Sequence, residues 1–124
     1  MSGSNKLAAF FGASGVALGA FGAHGLKAVL ESNHTLEVWH TASLYHLLHA
    51  VALLLLAPAA PAHRLSRILF SSGILIFSGS LYALAVTGVK WLGAITPIGG
   101  VALIAGWIAV GFRGRRQTAP HDSA

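Results

Sequence analysis

Four stretches of this sequence, each close to the roughly 20 residues of a membrane-spanning helix, contain no Asp, Glu, Lys or Arg. They are residues 7–26, 41–60, 68–87 and 92–112. Because an α-helix rises about 1.5 Å per residue, each stretch can cross the hydrocarbon core of a bilayer, which is about 30 Å thick. The sequence therefore predicts an all-α integral membrane bundle of four transmembrane helices.

The composition agrees with a chain that lies almost wholly in lipid. Charged residues make up only 9% of it, against about 25% in an ordinary soluble domain. A soluble four-helix bundle would carry polar residues on its outer faces, whereas these stretches are apolar on nearly every face. We therefore expect one transmembrane domain, residues 1–112. The basic and polar residues 113–124 are expected to form a disordered tail.

The cations are divided unevenly between the two sides of the predicted bundle. Four crossings place six of the eight Lys and Arg residues on the side of the termini: Lys6, Arg64, Arg67, Arg113, Arg115 and Arg116. Cytoplasmic loops carry an excess of cations, so both termini are predicted to be cytoplasmic. Because the cations lie at helix ends and form no basic stripe, we expect contact with anionic lipid and no nucleic-acid binding.

The first stretch resembles a signal peptide in that Lys6 precedes an apolar run. It is longer than the apolar region of a signal peptide, which has about 7–15 residues, so we expect a retained helix. The connection that follows, residues 27–40, predicts a short interfacial segment and a turn at residues 32–34. Thr35 is then the predicted N-cap of the second helix, and Pro97 is a candidate kink in the fourth.

Small residues recur along three of the four stretches. They let helix backbones approach closely in lipid, where packing replaces the hydrophobic drive between helices. Two explanations stay open: packing within one bundle, and either homo-oligomerisation or docking onto a larger membrane complex. The predicted packing positions are Gly15, Gly19, Gly79, Gly99, Gly100 and Gly106.

Polar side chains converge on the outer half of the predicted bundle. Tyr45, His46 and His49 share one arc of the second helix, and residues inside a bilayer that are polar usually face the bundle interior or a cavity. The other helices offer polar groups at similar depths. We therefore predict a small pocket that opens outward, with these lining residues: His24, Tyr45, His46, His49, Ser78, Tyr82 and Thr96. The alternative is that these groups only form hydrogen bonds between helices.

Several chemical functions are disfavoured by residues that the sequence lacks. His46 and His49 have no carboxylate or thiol nearby in sequence, so we expect no metal site. All three acids lie outside the apolar stretches, which disfavours a proton-coupled exporter. No nucleophile elbow, P-loop or dinucleotide-binding motif is present. We therefore expect no catalytic residue and no bound cofactor.

Several segments of the sequence resemble those of a known family. They are GAFGAHGL at residues 19–26, TAxxYxxxHA at 41–50, FSGSLY at 77–82 and LGxxTPIGG at 92–100. In this order they resemble a family of small membrane proteins that includes bacterial YgdD, a family known as a domain of unknown function. The resemblance implies a four-span protein of the bacterial inner, or plasma, membrane, and it implies no activity or catalytic residue.

Three functions are compatible with the sequence. The leading interpretation is a non-enzymatic accessory or assembly component of a larger membrane complex, since the chain has almost no part outside the membrane. The second is a small carrier or channel that uses the outer-half pocket. The third is a component that associates with quinone, lipid or haem and is centred on His49.

Overall fold

Helices account for almost all of the residues that the structure describes. The computed structural model describes the backbone of residues 3–118 and the side chains of residues 3–112. Six α-helices follow one another: α1 (Gly3–Ala23), α2 (Lys27–Ser32), α3 (Leu36–Leu56), α4 (Arg64–Gly73), α5 (Gly79–Thr87) and α6 (Thr96–Thr118). Two 3₁₀ segments, Ala57–Ala59 and Lys90–Ala94, precede α4 and α6, and a π-helix, Ile74–Ser78, joins α4 to α5. Within residues 3–118 there is no β-strand.

Four helical segments are long and apolar enough to cross a membrane, which confirms the predicted fold class. We number them spans 1 to 4: Gly3–Ala23, Leu36–Ala59, Arg64–Thr87 and Lys90–Phe112. The short helix α2 forms the predicted segment between the first two spans. Helix α6 continues to Thr118, into the predicted tail, and the rest of that tail, residues 119–124, lies outside the described part of the chain.

The spans are arranged in chain order, and each packs mainly on the next. Span 1 lies on span 2, span 2 on span 3, and span 3 on span 4, while α1 and α6 share no extensive contact within the described residues. Of the 18 most apolar consecutive residues of each span, 44% are buried in span 2, against 22% in span 1 and 17% in span 4. The arrangement is therefore an open row whose two end spans expose most of their surface.

Two apolar clusters hold this row together, one toward each side of the membrane. The cluster nearer the termini contains Ala8, Phe11, Ala50, Ala52, Leu53, Phe70, Ile74 and Leu103. The cluster nearer α2 contains Leu30, Trp39 and Ala85, with Leu18 and Tyr82 packed against them. Leu30 is fully buried, so α2 is fixed to the bundle by its single inward side chain.

Glycines set the distance between adjacent spans, although not at all of the predicted positions. A Cβ at Gly15 would lie 2.7 Å from Leu47, one at Gly106 would lie 2.6 Å from the Phe70 ring, and one at Gly99 would overlap the Phe77 backbone. Gly19 and Gly79 have no atom within 4 Å of such a Cβ. These two therefore do not serve packing within this chain, because they point away from the neighbouring span.

The connection between α2 and α3 caps the end of span 3. Asn33 Nδ2 donates hydrogen bonds to the carbonyls of Ala85 and Val86 at 3.1 and 3.0 Å, and Thr35 Oγ1 donates to Ala85 at 2.6 Å. Thr35 occupies the predicted N-cap position, but its hydroxyl makes no capping bond to α3. The predicted cap is wrong because the Thr35 hydroxyl donates its hydrogen bond to a carbonyl at the end of α5 instead. The last carbonyls of a helix lack partners within the helix.

Pro97, the predicted position of a kink, lies at the start of α6 and not within a continuous α-helix. Helix α6 begins at Thr96, so Pro97 lies in its first turn, where the backbone N–H that proline lacks would have no helical acceptor. Irregular backbone lies just before it, in the 3₁₀ segment Lys90–Ala94 of span 4, and also in the π-helix Ile74–Ser78 of span 3. The apolar pattern of this stretch does not distinguish a π-helix from an α-helix, so the sequence carried no signal for it.

Gly99 and Gly100 provide a matched test of the contact between spans 3 and 4. We expect Gly99→Ala to destabilise the fold by about 1–3 kcal/mol, since the new methyl meets backbone atoms of Phe77 that cannot move independently. Gly100→Ala should cost much less, because its Cβ reaches only the Phe77 ring, at 3.6 Å. Unfolding of both variants in mixed micelles measures the difference, and equal stability would contradict the described contact.

Candidate functional site

The first polar group in the membrane interior is centred on His46, which is only 4% exposed. Its Nε2 lies 3.2 Å from Ser14 Oγ in α1, and its Nδ1 lies 2.9 Å from Tyr82 Oη in α5. Ser14 donates its own hydrogen to the Phe11 carbonyl at 3.2 Å. His46 therefore shares one hydrogen bond with Ser14 and one with Tyr82, whose hydroxyl also lies 3.5 Å from Ser43 Oγ. One imidazole thus joins spans 1, 2 and 3.

Two further hydrogen bonds fasten span 2 to its neighbours on the same flank. Trp39 Nε1 donates to the Leu18 carbonyl at 2.8 Å, and its ring lies 4.6 Å from that of Tyr82. Gly22 makes room for the indole, since a Cβ there would overlap it. Ser78 Oγ donates to the Ala42 carbonyl at 2.8 Å. The polar groups on this flank are therefore engaged in contacts between helices.

The second polar group lies on the other flank of α3 and is centred on His49, which is 5% exposed. His49 Nδ1 lies 2.7 Å from the Tyr45 carbonyl, which can only accept, so Nδ1 carries the hydrogen. Nε2 is then free to accept, and Trp107 Nε1 donates to it at 3.0 Å. The Phe70 ring packs on both side chains, at 5.3 Å from His49 and 5.0 Å from Trp107.

The structure does not bring the seven predicted lining residues into one pocket. His49 is rotated by about 60° from His46 on the helix. His46 is bonded to spans 1 and 3, whereas His49 is bonded to Trp107 of span 4. His24 lies in the turn after α1 and is exposed. Ser78 is bonded to α3, and Thr96 Oγ1 lies 2.5 Å from Ser80 Oγ. Trp107, which is not among the seven predicted residues, is the partner of His49.

Neither histidine offers a free nitrogen to a metal ion or to haem iron. Both ring nitrogens of His46 and of His49 already have hydrogen-bond partners. Within residues 3–112, no three His, Asp or Glu side chains lie close enough to hold a metal ion. A haem centred on His49, one form of the third hypothesis, would require the bond to Trp107 to break.

Two apolar grooves open toward lipid on the two flanks of α3. The α1–α3 groove has a volume of about 640 Å³ and is lined by Asn5, Ala8, Ala9, Gly12, Ala13, Val16, Leu47, Ala50, Val51 and Leu54. The α3–α6 groove has a volume of about 420 Å³ and is lined by Tyr45, Leu48, His49, Phe77, Gly100, Leu103, Ile104 and Trp107. Small residues dominate the first groove, and aromatic rings dominate the second.

This architecture defines a small multi-pass membrane protein whose interior polar groups are largely paired with one another. Residues 18–100 match the family described as "Protein of unknown function (DUF423)", and the chain belongs to that family. The predicted membership in a family of unknown function is thereby confirmed. No solved structure matches the chain.

Bacterial membrane proteins are among its relatives. The chain is 48% identical over 103 residues to the UPF0382 membrane protein YwdK of Bacillus subtilis, covering 77% of this chain and 81% of the relative. It is 44% identical over 101 residues to a UPF0382 membrane protein of Haemophilus influenzae, covering 78% and 81%. These names describe membrane proteins and mention no activity.

The bond between His46 and Tyr82 can be measured with a double-mutant cycle. We expect His46→Leu and Tyr82→Phe to show a coupling free energy of about 0.5–2 kcal/mol in mixed-micelle unfolding, because they remove two ends of one interhelical hydrogen bond. Tyr82→Phe combined with Trp107→Phe is the control. These residues belong to different polar groups, so the two changes in unfolding free energy should be additive. Additivity in both pairs would contradict the described bond.

Proposed function

We propose that this protein is a non-enzymatic accessory or assembly component of a larger complex in the bacterial inner membrane. The observation that carries the proposal is the α1–α3 groove, a concave apolar surface on the end span of an open row. Helices associate in lipid through small residues that permit close approach of backbones. A surface of this kind is suited to receive a further transmembrane helix.

The proposed occupant is a transmembrane helix of another protein. Gly12 lines the groove and has no atom within 4 Å of a Cβ position, so that part of the surface is open to an incoming backbone. A symmetric dimer pairs the same patch on both copies. Two concave grooves placed face to face would leave a void between them, which disfavours a second copy of this chain as the occupant.

The interior polar groups support a structural rather than a catalytic or transporting role. The side chains of His46, His49 and Trp107 use their polar atoms in bonds within the chain. A carrier would have to present such groups to a solute, and an enzyme would have to present them to a substrate. We therefore favour assembly over the carrier hypothesis.

The proposal includes an orientation with both termini in the cytoplasm. Arg64 and Arg67, in the first turn of α4, are on the same side of the row as the N-terminus of α1, and Lys6 lies on that side as well. The excess of cations there is what the positive-inside rule requires of a cytoplasmic face. Lys27 and Lys90 would then face the outside, where Glu31 lies 4.0 Å from Lys27.

Gly12 and Gly79 provide a matched test of the proposed docking. Both positions are open in this chain, so Gly12→Leu and Gly79→Leu should leave the fold intact. Only Gly12→Leu fills the α1–α3 groove. We expect Gly12→Leu to reduce recovery of a stoichiometric partner at least about tenfold in mild-detergent purification from the native host, equivalent to about 1.4 kcal/mol, while Gly79→Leu retains it.

Three results would contradict the docking proposal. They are purification of the wild-type chain as a lone monomer, equal partner recovery by both variants, and a groove that is occupied by lipid alone in mass spectra of the intact protein. A homodimer that Gly12→Leu disrupts would show that a second copy is the occupant. Each variant's melting temperature serves as the control for folding.

The orientation can be tested by cysteine labelling, because the chain contains no cysteine. We expect Glu31→Cys to react with a membrane-impermeant maleimide in spheroplasts with the inner membrane intact. Pro61→Cys, in the connection between spans 2 and 3, should react only after the membrane is permeabilised. Both positions are exposed, and neither substitution removes a cation. The reverse pattern of labelling would overturn the proposed orientation.

A further inference from the structure

The α3–α6 groove lies well inside the hydrocarbon region. Tyr45 is nine residues beyond Leu36, where span 2 begins, which places its Cα about 13 Å along the helix axis. Gly100 is ten residues beyond Lys90, where span 4 begins, at a similar distance from the same side of the membrane. Phe77, near the middle of span 3, completes the groove.

Tyr45 brings an unpaired hydroxyl to this apolar groove. Tyr45 is 40% exposed and forms part of the lining, and its hydroxyl makes no hydrogen bond with the described residues. The other polar groups of the lining, on His49 and Trp107, are bonded to each other. A hydroxyl that is left without a partner in hydrocarbon is costly, so Tyr45 is the polar group through which a ligand would be fixed.

The walls of the groove are suited to a flat ring. Tyr45 and His49 are nearly parallel, with an interplanar angle of 10° and ring centroids 6.3 Å apart. The Phe77 ring lies 4.8 Å from that of Tyr45 and belongs to the π-helix Ile74–Ser78, a type of distortion that is frequent at functional sites. Gly100 leaves space beside Phe77, since its Cβ would touch that ring only at 3.6 Å.

We propose that the α3–α6 groove binds a lipid-soluble quinone, with the Tyr45 hydroxyl donating a hydrogen bond to a ring carbonyl oxygen. Quinones combine the two properties that the groove selects, a flat ring and a carbonyl acceptor within the hydrocarbon. Phospholipid ester carbonyls offer the same acceptor but are anchored near the interface. The proposal rests on this groove alone and is independent of the α1–α3 groove and its partner.

The binding test uses the purified full chain in phosphatidylcholine nanodiscs and a decyl-benzoquinone as the probe. Quenching of Trp107 fluorescence should saturate as the quinone is added, and this saturable part should be absent in Trp107→Phe. Tyr45→Phe keeps the ring but removes the donor, so it should weaken binding about tenfold. Tyr82→Phe, which changes the second of the two tyrosines, is the matched control and should bind as the wild type does. Gly100→Leu should fill the groove and abolish saturable quenching.

Two further comparisons change the probe and use only the wild-type chain, so they do not depend on the folding of any variant. The dimethyl ether of the reduced probe keeps a flat six-membered ring and the tail but replaces each carbonyl oxygen with a methoxy group, a weaker and more crowded acceptor, so it should bind at least about tenfold more weakly. A diacylglycerol of matched chain length should not compete with the quinone. Equal binding of the ether, competition by the diacylglycerol, quenching that never saturates, or unchanged affinity in Tyr45→Phe would each overturn the proposal.

Discussion

Polar groups that enter the hydrocarbon must find their partners within the protein, because lipid offers neither donor nor acceptor. His46 meets this requirement for three spans at once, through Ser14 on one side and Tyr82 on the other. Asn33 and Thr35 meet it for the last carbonyls of α5. These hydrogen bonds therefore satisfy polar atoms and also hold particular helices together as neighbours. The chain-order arrangement of the spans agrees with these bonded pairs.

Close backbone approach is the second constraint on the row, and it acts most strongly between spans 3 and 4. Gly99 lies against the backbone of Phe77, and Gly106 accommodates the Phe70 ring. Phe70 in turn packs on His49 and Trp107. The glycine contacts thus bring the indole within reach of the imidazole, and they create the wall against which the α3–α6 groove opens.

An open row leaves two flanks of α3 with different chemistry. The α1–α3 groove is lined mainly by small residues and suits a helix, whereas the α3–α6 groove is lined by rings and carries the unpaired Tyr45 hydroxyl. The two proposals therefore concern separate surfaces of one scaffold. They are compatible, since a component of a membrane complex can hold a partner helix on one flank and a lipid-soluble ring on the other.

The sequence by itself determined the four spans, the helix that joins the first two, and the set of polar residues that enter the membrane. Length and hydropathy are local properties, so they can be read along the chain. Only the tertiary structure decided that His46 and His49 face different neighbours and that Trp107 is bonded to His49. These outcomes depend on contacts between residues far apart in the chain, such as the 58-residue separation of His49 and Trp107, for which periodicity carries no signal. The π-helix and the open end of the row were likewise decided by packing between helices.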